Sequence, residues 1–543
     1  MKFTMVRSMK KRRLAFALLL ALLLLLSACA PEKTNSGDGK PTLGESSYPV
    51  TLRIVSGSEN KELEPLLARF AKENRIALDM KYQGSVEISR ILGQEQVPYD
   101  AVWPASSMWI SIGDTKHRVK YTESISITPV VFGIRRSLAE ELGFVGRQVS
   151  VRDILAQIQH GKLSFCMTSA TQSNSGCSAY IGFLYALLDN PEIITSKSLQ
   201  QEGLRADIQA LLKGVDRSSG SSEWLKTLFL QGDFDAMVNY ESLILSTNEE
   251  LLKQGREPLH LVYPYDGLSI SDAPLGYVDQ GDKKKEEAFL KLRDFLMSSD
   301  VQKEIQRYGR RTGYAGILPE NLDVWRKEWG ADTQSILSPI RMPDSEVLWE
   351  ALALYQTQFR KPSLTAYVLD FSGSMSGEPS QKLKAAMGEI LLQQRAAQNL
   401  LQASQQEENI VILFSSEVLS ISTETGNQDI EKLYPVVKKE EPSGGTAMFE
   451  ALDQALQIMT GYDLQAYTPA IILMTDGQSN GKMQLDDFLM AYARYGQDIP
   501  VFCISFGNAD LDALGSLAER THARVFDGDK DLIDAFKKAK GYN

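Results

Sequence analysis

The segment 370–374 constrains the fold of this chain more than any other part of the sequence. It directly follows the apolar run 366–369, and a continuous apolar run is typical of a strand buried on both faces of a parallel sheet. Asp370, Ser372 and Ser374 occupy alternate positions after that strand, so their side chains point to the same side. The sequence therefore predicts one carboxylate and two hydroxyls beyond one edge of a buried sheet.

Two more oxygen donors follow in similar contexts. Thr446 comes after a pair of glycines and opens a helical pattern, and Asp476 ends the apolar run 469–475. Taken singly, Thr446 is compatible with a helix N-cap and Asp476 with a turn after a strand. Together with the segment 370–374, their order resembles the metal-ion-dependent adhesion site of a von Willebrand factor A (VWA) domain. The resemblance covers residues 362–543.

This resemblance implies a divalent cation, Mg²⁺ or alternatively Mn²⁺ or Ca²⁺. Ser372, Ser374 and Thr446 would ligate it directly, while Asp370 and Asp476 would supply the negative charge, often through water. Mg²⁺ takes six oxygens in near-octahedral geometry and keeps several waters. A site built mainly from neutral hydroxyls leaves the ion under-neutralised, so its open position would attract a carboxylate of a partner protein.

Strand-like runs at 365–369, 409–414, 471–475 and 499–506 alternate with helical patterns, the longest at 381–402. Such alternation predicts an α/β domain whose doubly wound, mostly parallel sheet is covered by helices on both faces. Ligands of such sheets bind beyond the carboxyl ends of the strands, where the five oxygen donors fall.

The amino terminus predicts an extracytoplasmic protein anchored to the cell membrane. A basic region precedes the apolar run 14–26, which is too short to span a bilayer comfortably and suits a signal peptide, residues 1–28. The run ends in a sequence that resembles a bacterial lipobox, with Cys29 as the lipidated residue. An ordinary signal peptide with a chance cysteine is the alternative. Residues 29–48 are rich in Pro, Gly and Ser, which is typical of a flexible tether.

Residues 49–342 resemble an extracellular solute-binding protein, with a two-lobed periplasmic-binding-protein-like fold of type II. A first strand at 50–55 runs into a polar loop, the segment 126–133 resembles a crossover into a second lobe, and a helical pattern at 288–302 resembles the closing helix. Some other two-lobed α/β domain is the alternative. A helical connector, residues 343–361, leads from this domain into the VWA-like domain.

The resemblance implies a solute cleft between the lobes, lined by small polar residues of the loops after strands. Hydroxyls and helix amino termini suit a small solute such as an oxyanion. Each of these residues could instead be a helix cap, and the cleft could serve only as a scaffold. The candidate ligand-binding residues are Ser58, Ser106, Ser173, Asn174, Ser175, Asn239 and Tyr240.

Cys166 and Cys177 flank a short loop in what should be an oxidising compartment. Two alternatives are open for this pair, a disulfide or two unpaired buried side chains. The chain has four cysteines and four histidines, and the histidines have no zinc-ligand spacing.

The formal net charge of −11 disfavours nucleic acid as a partner. The sequence has no nucleophile elbow, phosphate loop or zinc signature, so we expect a binding protein and not an enzyme. The function that the resemblances imply is metal-dependent binding of a protein partner at the cell envelope, coupled to a small solute in the cleft. The alternative is the substrate-binding component of an ABC-type transporter, with the VWA domain as an assembly module.

Overall fold

A computed structural model describes residues 42–313, 316–334, 337–507, 509–529 and 532–541 of the chain. The predicted signal peptide, Cys29 and most of the predicted tether lie outside these residues. Within the described ranges, no helix combines the length and the apolar character needed to cross a bilayer.

The first sheet has six strands in the order β1-β3-β2-β4-β12-β5. Its centre is parallel, while β12 pairs antiparallel with both of its neighbours. The strands are β1 (Thr42–Leu43), β2 (Val50–Ser56), β3 (Ile76–Tyr82), β4 (Ala101–Trp103), β5 (Val119–Ser124) and β12 (Pro274–Val278). The accompanying helices are α1 (Glu64–Asn74), α2 (Ser85–Gly93), α3 (Ser107–Gly113), α11 (Lys283–Met297) and α12 (Ser299–Arg307), with a 3₁₀ helix at Ser58–Leu63.

The second sheet has the order β10-β6-β9-β7-β8, and a short strand β11 also pairs with β6. Its strands are β6 (Thr128–Arg135), β7 (Phe165–Thr168), β8 (Val215–Ser219), β9 (Ala236–Tyr240), β10 (Leu259–Val262) and β11 (Ser269–Ser271). Its helices are α4 (Arg136–Glu141), α5 (Val151–Gln159), α6 (Asn174–Leu187), α7 (Ser196–Leu199), α8 (Leu204–Leu212), α9 (Ser222–Gln231) and α10 (Glu241–Lys253).

The two sheets form two lobes, because the chain leaves the first sheet after β5 and returns to it at β12. The chain crosses between the lobes a third time after α12. This segment lies beside the first crossover, and Ile127 and Arg311 exchange backbone hydrogen bonds of 2.6 and 2.9 Å there. In each lobe one strand, β12 or β6, is antiparallel to the neighbours it joins within the main sheet. This is the two-lobed, type II arrangement that the sequence predicted.

A connector helix, α13 (Ser345–Leu354), continues into a π-helical turn, Tyr355–Phe359. Its apolar face belongs to the core of the second lobe, where the ring of Tyr180 packs 5.1 Å from that of Tyr355. The Tyr180 hydroxyl also donates to the Ala351 carbonyl at 2.8 Å. The connector is therefore a fixed part of the second lobe.

The third sheet has the order β15-β14-β13-β16-β17-β18 and is parallel except for the edge strand β15. Its strands are β13 (Ser363–Asp370), β14 (Glu408–Phe414), β15 (Val418–Thr425), β16 (Thr468–Thr475), β17 (Val501–Ser505) and β18 (Val525–Asp527). Its helices are α14 (Glu378–Leu391), α15 (Gln393–Gln398), α16 (Gly426–Asp429), α17 (Leu433–Lys439), α18 (Met448–Met459), α19 (Leu485–Tyr495), α20 (Leu511–Arg520) and α21 (Leu532–Gly541).

Helices cover both faces of this sheet, and alternate residues of β13 enter two separate apolar cores. Tyr367 and Leu369 pack on one side, Ala366 and Val368 on the other. The predicted doubly wound α/β domain is confirmed. One prediction differs in detail, because the pattern at 381–402 forms two helices broken at Leu392, whose backbone is extended.

The third sheet packs against the second lobe through polar contacts. Arg217 donates to the Asp498 carboxylate at 2.7 Å and to the His522 carbonyl at 2.9 Å. The guanidinium of Arg524 stacks 4.8 Å from the ring centre of Trp224. The described residues belong to one compact unit.

The predicted alternative of a disulfide between Cys166 and Cys177 is wrong. Both thiols are free and buried. Cys166 is on β7, and its side chain enters the core on one face of the second sheet, whereas Cys177 on α6 packs in the core on the other face, together with Phe165 and Met167. Since side chains alternate along a strand, the sheet itself separates the two sulfurs.

Candidate metal centre and interlobe cleft

The five predicted metal-site residues meet at the carboxyl edge of the third sheet. Asp370 is the last residue of β13, Ser372 and Ser374 follow it, and Asp476 follows the neighbouring strand β16. Thr446 precedes α18. The strands are parallel neighbours in register, so their ends present these residues at one edge.

A chain of hydrogen bonds links the side chains at this edge. The Oγ atoms of Ser372 and Ser374 are 3.0 Å apart, and Ser374 donates to Asp476 Oδ1 at 2.8 Å. Asp370 Oδ1 accepts from the Ser372 backbone N–H at 2.7 Å, and its Oδ2 accepts from the Thr475 hydroxyl at 2.6 Å. Four of the five candidate ligand residues are therefore linked to one another by hydrogen bonds.

The loop that carries Thr446 is fixed from two sides. Asn480 accepts from the Thr446 N–H at 2.7 Å and donates its own N–H to the Thr446 carbonyl at 2.9 Å. Gly444 adopts a positive φ of 78°, and a Cβ there would lie 2.6 Å from Ser416 Oγ, so any other residue would be strained and would displace this hydroxyl. A Cβ on Gly477 would lie 3.5 Å from both Thr446 Oγ1 and Ser374 Oγ, so these two hydroxyls flank the same glycine.

The two carboxylates of this edge are electrostatically unfavourable as ionised groups. Burial raises the pKa of Asp370 to about 6, and the negative charge of Asp476 acts in the same direction. Burial also raises the pKa of Asp476, against the hydrogen bond from Ser374. A cation placed between them would reverse both effects, since an opposite charge within a few ångströms favours the ionised form.

The donor set fits a hard divalent cation. Three neutral hydroxyls and two carboxylates are oxygen ligands of the kind that Mg²⁺ selects. No cluster of three or more His, Cys, Asp and Glu side chains suited to a metal occurs in the described part of the chain. A metal centre at this edge would thus depend on its hydroxyls for direct ligation.

Sequence reasoning missed three residues that position this edge. They are Thr475, which holds Asp370, Asn480, which holds Thr446, and Ser416, whose hydroxyl accepts from the Gly445 N–H at 2.6 Å. Thr475 directly precedes Asp476 at the end of a strand, and this position was a usable signal. The other two lie in loops where nothing in the local pattern marks them.

In the interlobe cleft, Asn174 connects the two lobes directly. Its Oδ1 accepts from the Trp109 indole N–H of the first lobe at 2.7 Å, and its Nδ2 donates to the Tyr240 hydroxyl at 3.0 Å and to Ser271 Oγ at 2.8 Å. All four residues are almost fully buried. The lobes are therefore closed on each other around this amide.

Three other predicted cleft residues belong to the same buried network. Ser222 Oγ lies 3.2 Å from Ser173 Oγ and 2.8 Å from Ser175 Oγ. Asn239 donates to the Ser222 carbonyl at 2.9 Å. Among the described residues, Ser58 and Ser106 make no hydrogen bond to this network. Ser58 begins the 3₁₀ helix, and the Ser106 hydroxyl accepts from Met108 N at the start of α3.

Charged residues of the cleft were also missed. Glu59 is buried, burial raises its pKa to about 6, and its Oε1 has no hydrogen-bond partner in the described ranges. The fully buried Arg310 donates to the Glu59 carbonyl at 2.5 Å. Across the lobes, Glu62 accepts from Lys226 at 3.2 Å and from Ser246 at 2.7 Å. The partners in these contacts are far apart in the sequence, so no local motif could predict them.

Comparisons with known proteins agree with this architecture. The family model described as a bacterial extracellular solute-binding protein matches residues 52–311, and the model of the von Willebrand factor type A domain matches residues 366–537. No curated protein sequence matches the chain.

Several solved structures resemble part of the chain. The periplasmic binding protein AfuA from Actinobacillus pleuropneumoniae, with exogenous fructose-6-phosphate bound, is 12% identical, with 55% of this chain and 90% of that one covered and a TM-score of 0.37. Maltose-bound MalE3 from T. maritima is 14% identical (56% and 93% covered, TM-score 0.40). The substrate-binding protein of an ABC transporter from Agrobacterium tumefaciens is 14% identical (58% and 97% covered, TM-score 0.40).

The two-lobed module is thus an extracellular solute-binding-protein domain, which implies an extracytoplasmic location and a relationship to proteins that bind small solutes. In this polypeptide it is joined to a C-terminal VWA domain that carries the cluster of hydroxyls and carboxylates. Domains of both kinds are typically not enzymes.

Proposed function

We propose that this protein is an envelope-anchored lipoprotein that binds a protein partner through a divalent cation at the edge of its VWA domain, coupled to a small solute in the cleft. The observation that carries the proposal is the convergence of Asp370, Ser372, Ser374 and Asp476 in one hydrogen-bonded chain, with Thr446 beside it. When bound, the cation would supply an electrophilic position for a carboxylate oxygen of the partner.

The positions of the hydroxyls and of the buried carboxylate favour a partner that approaches from solvent. The hydroxyls are held by the backbone bonds of the loops 371–374 and 443–446, which join where Gly373 N–H donates to the Gly444 carbonyl at 3.0 Å. Asp370 is fully buried, whereas Ser374 is exposed. The negative charge therefore lies beneath the site, and the solvent side is left to the partner.

Calorimetric titration of EDTA-stripped protein with Mg²⁺ and Mn²⁺ tests the metal site. We expect one site per chain in the parent, loss of binding in Asp476→Ala, and weaker binding in Ser372→Ala, which removes a ligand without changing charge. Asp453→Ala, on the surface of α18, is a matched control that should bind like the parent. Equal Mg²⁺ affinity in Asp476→Ala and the parent would refute the metal site.

Protein crosslinked in its own envelope, with Mg²⁺ or with EDTA, tests the partner. A partner that the parent captures only with Mg²⁺, and that Asp476→Ala does not capture, supports adhesion through the metal. A partner captured equally in EDTA would show that another surface makes the contact.

The geometry that supports coupling is the position of α21, the last helix of the VWA domain. Gln172, next to the buried cleft network, donates to the Lys537 carbonyl of this helix at 2.6 Å. On the first lobe, burial and the nearby carboxylate of Asp534 raise the pKa of Tyr99. The same helix packs the ring of Phe536 5.9 Å from that of Tyr367 on β13, the strand that ends in Asp370.

The helix α21 thus contacts the second lobe and the strand that ends in Asp370, and its Asp534 acts electrostatically on Tyr99 of the first lobe. Gly84 of the first lobe packs tightly against Gln172, since a Cβ on Gly84 would lie only 2.0 Å from the Gln172 carbonyl oxygen. A change in lobe closure would therefore disturb Gln172 and, through it, the hydrogen bond to α21. Coupling between two sites requires an element whose arrangement both sites affect, and α21 is the element that we propose.

A thermal-shift screen with sugars, amino acids and oxyanions should identify a stabilising solute. The Mg²⁺ affinity is then measured with and without that solute. We expect a change of about fivefold or more that Gln172→Ala abolishes and Gln209→Ala keeps, since Gln209 makes a similar bond to the Gln358 carbonyl at 2.8 Å away from the cleft. A solute that leaves Mg²⁺ affinity unchanged would separate the two functions.

The solute-binding domain also supports the alternative function, a substrate-binding component of an ABC-type transporter with the VWA domain as an assembly module. In that case a captured partner would be a membrane transporter subunit, and solute uptake by cells would depend on this chain. Normal uptake in a deletion strain would exclude it.

A further inference from the structure

A small cavity lies where the second lobe, the connector and the VWA domain meet. Its volume is about 30 Å³, which is room for a single small ion or one or two waters. Hydroxyl-bearing Ser169, Thr171 and Ser218 line it from the second lobe, Arg360 from the connector and Lys540 from α21.

The charged groups at this cavity do not balance. The Arg360 guanidinium is paired with Glu407, which is fully buried. Lys540, only 5% exposed, has its ammonium nitrogen 3.8 Å from the other oxygen of the same carboxylate. The charges that act on Lys540 are those of Glu407 and Arg360. Two cations therefore share one anion, and an uncompensated buried charge is costly.

Hydrogen-bond donors are also in excess here. Lys540 donates to the Leu401 carbonyl at 3.2 Å, yet an ammonium group has three N–H donors. Arg360 Nε is buried and has no acceptor within the described ranges. Glu407 Oε2 has no hydrogen-bond donor there either, and this one oxygen cannot satisfy all of these N–H groups. Ser169 and Thr171 bond to each other at 3.0 Å, and this bond uses the proton of only one of the two hydroxyls. The cavity wall is therefore rich in N–H and O–H groups and has an excess of positive charge.

We propose that this cavity binds one small monovalent inorganic anion, of the size of chloride, held by the Lys540 ammonium and the Arg360 guanidinium. The cavity is small, which favours a monatomic anion over a polyatomic one. The anion would neutralise the excess positive charge and accept hydrogen bonds from the N–H groups that have no acceptor. Because Lys540 is on α21, the bound anion would also fix that helix to the second lobe.

Bromide identifies such a site directly. The full chain is crystallised with sodium bromide, and anomalous scattering is measured at the bromine edge. We expect a peak between Lys540 and Arg360. In solution, bromide and chloride should raise the unfolding temperature saturably by about 2–5 °C over sodium gluconate at equal ionic strength, since gluconate is a far larger anion than a halide.

The variant Lys540→Met keeps the length and the apolar stem of the side chain but removes the charge, and it should lose the halide-dependent rise. Lys253→Met is the matched control, because Lys253 is also in the last turn of its helix but is exposed, and it should keep the rise. A folded Lys540→Met protein with an undiminished halide effect would overturn the proposal. If that variant does not fold, the parent crystals decide, and a junction without a bromide peak overturns it equally.

Discussion

Replacing Asp370 with asparagine tests whether the candidate metal site destabilises the metal-free protein. Asp370 is fully buried at the end of β13, and burial raises its pKa from the ordinary value of 3.8 to about 6. Above that pH the folded protein holds an ionised carboxylate close to Asp476 with no cation to balance it. Asparagine has nearly the same shape and no charge, so it removes this cost.

The size of the effect follows from the pKa. A rise from 3.8 to about 6 is roughly two units, which corresponds to about 3 kcal/mol. Asparagine can still accept from the Ser372 N–H, now at 2.7 Å, but the Thr475 hydroxyl loses its charged acceptor at 2.6 Å. That loss costs about 1 kcal/mol. In EDTA at neutral pH, Asp370→Asn should therefore be about 2 kcal/mol more stable than the parent.

The effect must change with pH in a defined direction. Between the ordinary pKa and about 6, the folded parent binds more protons than the unfolded chain, so its stability falls as pH rises through this window. The variant has no such group. It should be the less stable protein at about pH 4, by the lost hydrogen bond alone, and the more stable one above about pH 6.5.

Hydrogen exchange followed by mass spectrometry resolves the VWA domain from the rest of the chain. Peptides from β13 and β16 should exchange about 30-fold more slowly in Asp370→Asn than in the parent at neutral pH in EDTA, and no more slowly at about pH 4. Asp512→Asn, an exposed acid of α20, should match the parent at both pH values. Equal exchange of Asp370→Asn and parent at neutral pH, or a difference that does not depend on pH, would refute the reasoning.

Three further predictions concern other contacts. Asn480→Ala should lower Mg²⁺ affinity about tenfold by releasing the Thr446 loop at a cost of about 1 kcal/mol, and unchanged affinity in titration calorimetry would contradict this. Cys166 and Cys177 should both be alkylated after unfolding of envelope-derived protein, whereas a linked peptide in a non-reducing map would contradict the structure. Arg217→Ala should lower stability in urea by about 1 kcal/mol, since Asp498 is 45% exposed. Because His522 and Arg217 together lower the pKa of Asp498 to about 2, the difference should persist at neutral pH and narrow as pH falls from about 4 towards 2.

The convergence of the five candidate metal-site residues at one edge could be predicted from the sequence because their positions depend on local patterns. Each donor follows an apolar strand or precedes a helix, and parallel strands in register bring those ends together without further information. The edge strand β15 was not predicted, for a physical reason. Its large apolar residues Leu419 and Ile421 alternate with serines as in a strand, yet they are 39% and 43% exposed, so the apolar side of this pattern is not the buried face.

The cleft and the domain junction could not be predicted in the same way. Trp109 and Asn174 are separated by 65 residues, and Gln172 and Lys537 by 365. No local spacing encodes such pairs, because they depend on how complete lobes and domains pack. The disulfide alternative failed for the same reason, since two cysteines close in sequence lie on opposite faces of a sheet.

The two candidate ligand sites of this chain differ in what they need from a ligand. In the cleft, the amide of Asn174 and the hydroxyl of Tyr240 satisfy each other and Trp109 without a solute. A solute must therefore replace interlobe hydrogen bonds, and it gains affinity only from groups that are still unsatisfied, such as Glu59 Oε1. At the edge of the VWA domain the groups are not satisfied without a ligand. Burial disfavours the ionised forms of Asp370 and Asp476, and a cation would stabilise them. A cation should thus bind the VWA edge of the closed protein readily, whereas solute should bind only as the lobes open. If α21 transmits that opening, solute and not metal is the variable signal that controls partner binding.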